Sequence, residues 1–261
     1  MIIAMLLLDM NQLAEAQDLT NDKKENQATE IINAQAFALF MDVSETASAA
    51  EQEAHYKELS KFTLKLQNRQ RRYRFEKQFI RYVFHKVHRK YMKHYAKNTD
   101  LHELMERGRY DCITGTALYA IILDALGYQY SVGELPYHVF LMVKLNDGQD
   151  SVLLESTDAH SGFVAEHEQI KERMAMYAQD LEANKPNQYD YTFEINERIQ
   201  LKELAALNYY NEAVHYYNQQ RLDQASTLLR QAQALYPARR MQALQSLIDK
   251  VVSRQMAVAR D

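Results

Sequence analysis

Cysteine occurs once in this chain of 261 residues, tryptophan not at all, proline three times and glycine six times. A lone thiol closes no intramolecular disulfide and builds no cysteine-rich metal centre. Cys112 is therefore a small buried hydrophobe, a ligand among other donor types, or a nucleophile. The scarcity of glycine and proline excludes an architecture dominated by tight turns and points to a mostly helical protein. No apolar run approaches the roughly 20 residues that span a bilayer. The formal net charge of −4 makes no global case for binding nucleic acid. With 47% hydrophobic residues the chain can bury a full core, and its length fits two domains or one domain with an appendage.

What is present begins at the cysteine. From Tyr110 to Tyr128 the sequence reads YDCITGTALYAIILDALGY, with apolar residues all around a helical cylinder, which predicts a central, buried helix. Asp111 is of N-cap type and Gly127 stands where a left-handed helix-ending residue belongs, so Cys112 falls in the first turn. Unpaired N–H groups at that end favour thiolate over thiol. The small residues Thr114, Gly115 and Thr116 leave room for a substrate or for a neighbouring strand.

Twenty-six positions after the cysteine comes His138, within Tyr137 to Leu145 (YHVFLMVKL); Ser151 to Thr157 (SVLLEST) follows across Asn146, Asp147 and Gly148. This is the pattern of a β-hairpin. A two-residue turn at Asp147-Gly148 sets His138 opposite Thr157, with Glu155 as its diagonal neighbour on the same face and Asp158 on the other. A slip of one residue reverses that choice between Glu155 and Asp158. A carboxylate beside a histidine fixes its tautomer and supports the imidazolium that forms when a thiol gives up its proton. Cysteine, histidine and acid in that relation make a nucleophilic triad.

A cysteine opening a helix in a DC context, a histidine opening a strand (PYHVFLMV) and an acid followed by Ser, Thr and Asp on the next strand (LLESTD) resemble the transglutaminase-like superfamily of papain-type thiol enzymes, over about residues 70 to 165. The resemblance implies an α+β fold with a central Cys-bearing helix packed on an antiparallel sheet. It also implies catalytic roles: Cys112 as nucleophile, His138 as general base and acid, and Glu155 as the orienting acid, standing where the family commonly has Asp. The implied chemistry is hydrolysis or acyl transfer at peptide or glutamine-side-chain amides, with a peptide or protein as substrate. The calcium sites and flanking aromatic and glycine-rich features of the animal cross-linking enzymes are not recognisable. No metal and no other cofactor is expected.

Other features read more plainly. Between Lys61 and Lys97 stand thirteen Lys and Arg and one acid, Glu76, interleaved with aromatics that include Tyr91 and Tyr95. Phe75, Phe79, Val83, Val87 and Tyr91 recur at helical spacing, so the aromatics are assigned to the core and the charges to a solvated face. Nucleic acid is not the expected partner. His85, His88 and His94 lie in this stretch; the 85/88 spacing is compatible with a metal, but without companion ligands a packed or solvated face is the expectation. His160 and His167 are left outside the site, and Tyr110 is assigned to packing.

Ala206 to Pro237 resembles one tetratricopeptide repeat, with Tyr209, Ala213, Tyr216, Ala225, Leu229, Ala232 and Pro237 at its characteristic spacing and Glu212 departing from it. One repeat cannot bury its apolar face alone, so it is expected to dock on the catalytic-like part or to hold a protein partner. Arg239 to Val252 is a further helical stretch, and residues 166 to 200 predict a helix and one strand near Tyr189 to Ile195. At the N-terminus, Ile2 to Leu8 and Ala14-Glu15-Ala16 have the form of a truncated signal peptide, which implies export; a packed helix of a cytoplasmic protein is the other reading. The expected organisation is a leader or linker over 1–30, the transglutaminase-like part with its basic helices over 31–200, and the tetratricopeptide-like part over 201–261.

Overall fold

The computed structural model describes residues 31–44, 46–135, 137–183 and 198–258. The signal-peptide reading of the N-terminus and the strand expected at Tyr189 to Ile195 lie outside them. The described fold is mixed α+β, a small antiparallel sheet joined to a C-terminal cluster of tightly packed helices.

Helices α1 (Ala34–Met41), α2 (Ala49–Gln70) and α3 (Glu76–Tyr91) come first. Asn33 caps α1 through the N–H groups of Gln35 and Ala36, and α2 opens on a reciprocal capping box between Ser48 and Glu51. The predicted stripe on α3 holds for Phe79, Val83, Val87 and Tyr91, all buried. Phe75 departs from it: it is the N-cap residue, with extended backbone, so it does not follow the helical period and is 55% exposed.

A parallel pair of two-residue strands, β1 (His94–Tyr95) and β2 (Arg109–Tyr110), brackets the short α4 (Leu101–Arg107) and leads into α5 (Cys112–Ala125). Helix α5 is buried all round, as its sequence predicts. Its C-terminus is a Schellman motif: Tyr128 N–H donates to Leu123 C=O and Gly127 N–H to Asp124 C=O, with Gly127 at φ 81°.

The main sheet has the order β6-β5-β4-β3-β7, with β3 (Tyr130–Leu135), β4 (His138–Leu145), β5 (Asp150–Leu154), β6 (Phe163–Val164) and β7 (Arg198–Ile199), every pairing antiparallel. Strands β4 and β5 run from Leu145↔Asp150 to Leu141↔Leu154. That is the register expected of the hairpin, although a 3₁₀ turn over Asn146–Gly148 makes the connection. Alternation along β4 sends Val139, Leu141, Val143 and Leu145 into the main core and Phe140 and Met142 into a second apolar cluster with Ile170, Met174 and Tyr177. The second cluster belongs to α6 (His167–Ala183), while α5 packs in the main core.

Helices α7 (Leu201–Asn218) and α8 (Leu222–Leu235) form a tightly packed hairpin on which α9 (Arg239–Val258) lies. Tyr209, Ala213, Ala225, Leu229 and Ala232 are all buried, and α7 also packs against α5 and α1. The arrangement is pinned to the sheet by a buried ion pair, Arg240 Nη2 to Glu134 Oε1 on β3 at 2.6 Å, with the Tyr236 hydroxyl 3.3 Å from the other oxygen of Glu134. No described helix is long and apolar enough to cross a membrane.

Candidate active site

Cys112 is the first residue of α5, and the residue before it organises that end. Asp111 Oδ1 accepts the Thr114 N–H at 2.9 Å while the Thr114 hydroxyl accepts the Asp111 N–H at 3.0 Å, a reciprocal capping box. The Cys112 N–H makes no backbone hydrogen bond to another described residue and lies by the residue's own sulfur, where it favours the charged form. Of the two uses open to the small residues that follow, the structure displays packing. A Cβ on Gly115 would stand 2.9 Å from Cβ and Oγ of Ser156, so the segment after β5 lies directly on the helix. The Ser156 hydroxyl donates to the Cys112 carbonyl at 3.4 Å, which ties the turn after β5 to the cysteine.

That turn carries Glu155. Its Oε2 lies 2.5 Å from His138 Nε2 and accepts the Tyr177 hydroxyl from α6 at 2.8 Å; its Oε1 accepts the Thr157 hydroxyl at 2.8 Å and the Thr157 N–H at 3.3 Å. Only 3% of Glu155 is exposed. Burial pushes its carboxyl up, but the hydrogen bond from His138 and the charge it carries when protonated, together with the bonds from Thr157 and Tyr177, hold it below the usual carboxylate range. With Nε2 on Glu155, the other ring nitrogen of His138, Nδ1, makes no hydrogen bond among the described residues. Asp158, the competing acid, turns away to the N–H groups of His160 and Ser161 and toward Arg173.

The structure thus brings His138 and Glu155 into direct contact. Cys112 reaches them only as far as a shared cavity of about 580 Å³, which Cys112, His138 and Val139 all border. No hydrogen bond joins the thiol to the imidazole. Alternation along β4 turns Val139 toward α5 and the main core and sets His138 on the strand face that carries Phe140 and Met142.

The thiol is also not the thiolate expected from its helix position. Burial and the neighbouring Asp111 carboxylate push its pKa up to about 12, against the Val139 N–H that favours the charged form. The first-turn amides act over a short range, and here desolvation outweighs them.

Among the remaining candidates, Tyr110 is buried, with its hydroxyl 3.5 Å from His88 Nε2 rather than in the cleft. His88 is half-buried and bonds the Ser156 backbone, a structural role. No group of three or more His, Cys, Asp and Glu among the described residues is arranged to hold a metal ion. Tyr95 reverses its expectation: it is 54% exposed and borders the cavity instead of entering the core. Tyr177 was invisible to sequence reasoning, since nothing distinguishes it among 18 tyrosines and it reaches Glu155 only through the packing of α6. The C-terminal helices complete the cavity wall, with Val214 from α7 and Leu244 from α9 among its lining.

No family model matches the chain, and no curated protein or solved structure matches it.

Proposed function

We propose that the protein is a thiol enzyme of transglutaminase-like type that opens peptide or glutamine-side-chain amides. The observation that carries the reading is the buried carboxylate of Glu155, held by four hydrogen bonds, one of them to Nε2 of a histidine that borders the same cavity as the chain's one thiol. In this reading Cys112 Sγ attacks the amide carbonyl carbon while its proton passes to Nδ1 of His138. The imidazolium returns that proton to the leaving nitrogen as the C–N bond breaks, leaving a thioester on Cys112. Water or an amine, deprotonated by the same nitrogen, then attacks the thioester and restores the thiol. The Cys112 N–H at the start of α5 is the donor for the developing oxyanion. Since the thiol rests neutral and apart from the imidazole, the two must close on each other as substrate enters, which contacts in ligand-free sites commonly do. In the same reading the α7–α8 hairpin is a single tetratricopeptide-like repeat docked on the catalytic part.

A peptidyl electrophile tests this. Incubated with a peptidyl acyloxymethyl ketone at pH 7, the protein is expected to carry one adduct on Cys112, and His138→Ala is expected to slow its formation about 100-fold or more. Equal labelling of the two proteins refutes the enzyme reading. The second reading, a non-catalytic scaffold or protein-binding module, is favoured by two observations: the missing thiol–imidazole bond and the raised thiol pKa. It predicts that equal, slow labelling.

A further inference from the structure

The turn between α2 and α3 gathers positive charge that the fold leaves unneutralised. Lys65 and Arg69 stand one helical turn apart near the end of α2, and Arg71, Arg72 and Arg74 follow. All five are exposed, and none has an acidic partner among the described residues. The flanking cations differ: Lys77 pairs with Asp150 at 3.2 Å and Lys90 with Glu58 at 2.7 Å. Glu76, the acid of this stretch, is turned to the Asn146 N–H at 2.6 Å. No residue from Gln67 to Gln78 is buried, so the turn projects from the body of the protein. At its end stands Phe75, the aromatic that left the buried stripe and is 55% exposed. The turn is held in shape by its own backbone. Arg72 N–H donates to Arg69 C=O and Tyr73 N–H to Gln70 C=O, both at 3.0 Å, and the Phe75 carbonyl accepts from Gln78 and Phe79 at the start of α3.

Charge and shape together select the occupant. Single-stranded nucleic acid is held in a charged groove with open ring faces on which its bases stack. Here the Arg69 guanidinium lies 4.7 Å over the Tyr82 ring and that of Arg74 5.2 Å over Phe75, while Tyr73 packs on Phe79 and Tyr82. A projecting turn whose rings lie under guanidiniums is the wrong shape for bases. A bilayer surface is broad, negatively charged when it holds anionic lipids, and apolar just beneath its headgroups, which suits cations set around one apolar side chain. We propose that the α2–α3 turn binds the surface of an anionic bilayer, with Lys65, Arg69, Arg71, Arg72 and Arg74 on the lipid phosphates and Phe75 at the boundary between headgroups and acyl chains. The whole chain carries a net charge of −4, so the attraction is set by this turn and not by total charge. The proposal is independent of the chemistry at Cys112.

Co-sedimentation of the full chain with vesicles tests this. The protein is expected to sediment with phosphatidylcholine vesicles holding about 30% phosphatidylglycerol, to stay in solution with phosphatidylcholine alone, and to be released as salt rises to about 0.5 M. Each basic residue at an anionic surface is worth about fivefold in affinity, so Arg71→Gln, Arg72→Gln and Arg74→Gln combined should weaken binding about 100-fold. Phe75→Ala should weaken it about fivefold or more, with the salt dependence kept. A control removes the same charge elsewhere: Arg230→Gln, Lys250→Gln and Arg254→Gln, on exposed positions of α8 and α9, should bind vesicles as the native chain does. All substituted side chains are exposed, and circular dichroism checks that the variants fold. A 20-nucleotide single strand and an acidic peptide, added in turn, should bind more weakly than the anionic vesicles. Equal sedimentation with the two vesicle types, native affinity in the arginine or the phenylalanine variant, an equal loss in the control, or tighter binding of the oligonucleotide or the acidic peptide each overturns the proposal.

Discussion

Replacing Glu155 by glutamine separates the charge of the site from its shape. The carboxylate accepts from Thr157 on one oxygen and from His138 and Tyr177 on the other. In Glu155→Gln the remaining oxygen can keep Thr157, and the new NH₂ faces the other two. The Tyr177 hydroxyl can turn to accept, and His138 can accept at Nε2 only by moving its proton to Nδ1. Two bonds to a charged acceptor become neutral ones; at about 1.5–3 kcal/mol for each charged bond against about 1 for a neutral one, the net loss is about 1–4 kcal/mol. The larger effect is on chemistry. With Nδ1 protonated the imidazole cannot take the thiol proton, and loss of the correct tautomer in a triad costs about 10⁴-fold in turnover. Labelling of Cys112 by the peptidyl electrophile should therefore fall far more than urea-measured stability does.

The same carboxylate leaves a signature in pH. Its folded-state pKa lies below the unfolded value, so its stabilisation is present above the ordinary carboxylate range and is lost as pH falls through the lowered folded value. Glu155→Gln should flatten that acid limb of the stability profile. A variant that labels Cys112 at the native rate, or keeps the native acid limb, refutes this account of His138 and Glu155.

Asp111→Asn preserves an N-cap acceptor for Thr114 and removes the charge that helps push up the thiol, so iodoacetamide should alkylate Cys112 faster at pH 8 to 9 than in the native chain. Burial raises the Asp111 carboxyl as well, so the native fold loses stability as pH rises from the unfolded value toward the raised one, and the asparagine variant should lack that loss. Gly115→Ala brings a methyl group to 2.9 Å from Ser156, one residue from Glu155, and should cost about 1–3 kcal/mol in urea unfolding while slowing electrophile labelling. Arg240→Leu takes the guanidinium from the carboxylate of Glu134, of whose side chain 3% is exposed and which keeps the Tyr236 hydroxyl, and should destabilise the fold by about 3–5 kcal/mol, most of it recovered when Glu134→Leu is added.

Local chemistry was legible in the amino-acid order wherever the determining partners lie close along the chain. Asp111 and Gly127 marked both ends of α5 because capping is decided within a few residues. The β4–β5 register followed from period-two alternation and the turn between the strands, and the Glu155–His138 contact sits beside that ladder. Phe75 departed from its stripe for an equally local reason, since the helix begins one residue after it. Beyond that reach the sequence had no say. Tyr177 meets Glu155, Val214 and Leu244 border the cavity and Arg240 pins α9 only because helices distant along the chain pack on the two faces of one sheet. The protonation state of Cys112 was decided the same way. A first-turn position favours the thiolate, but how much water reaches the sulfur is a property of the packed molecule, and desolvation is the stronger force.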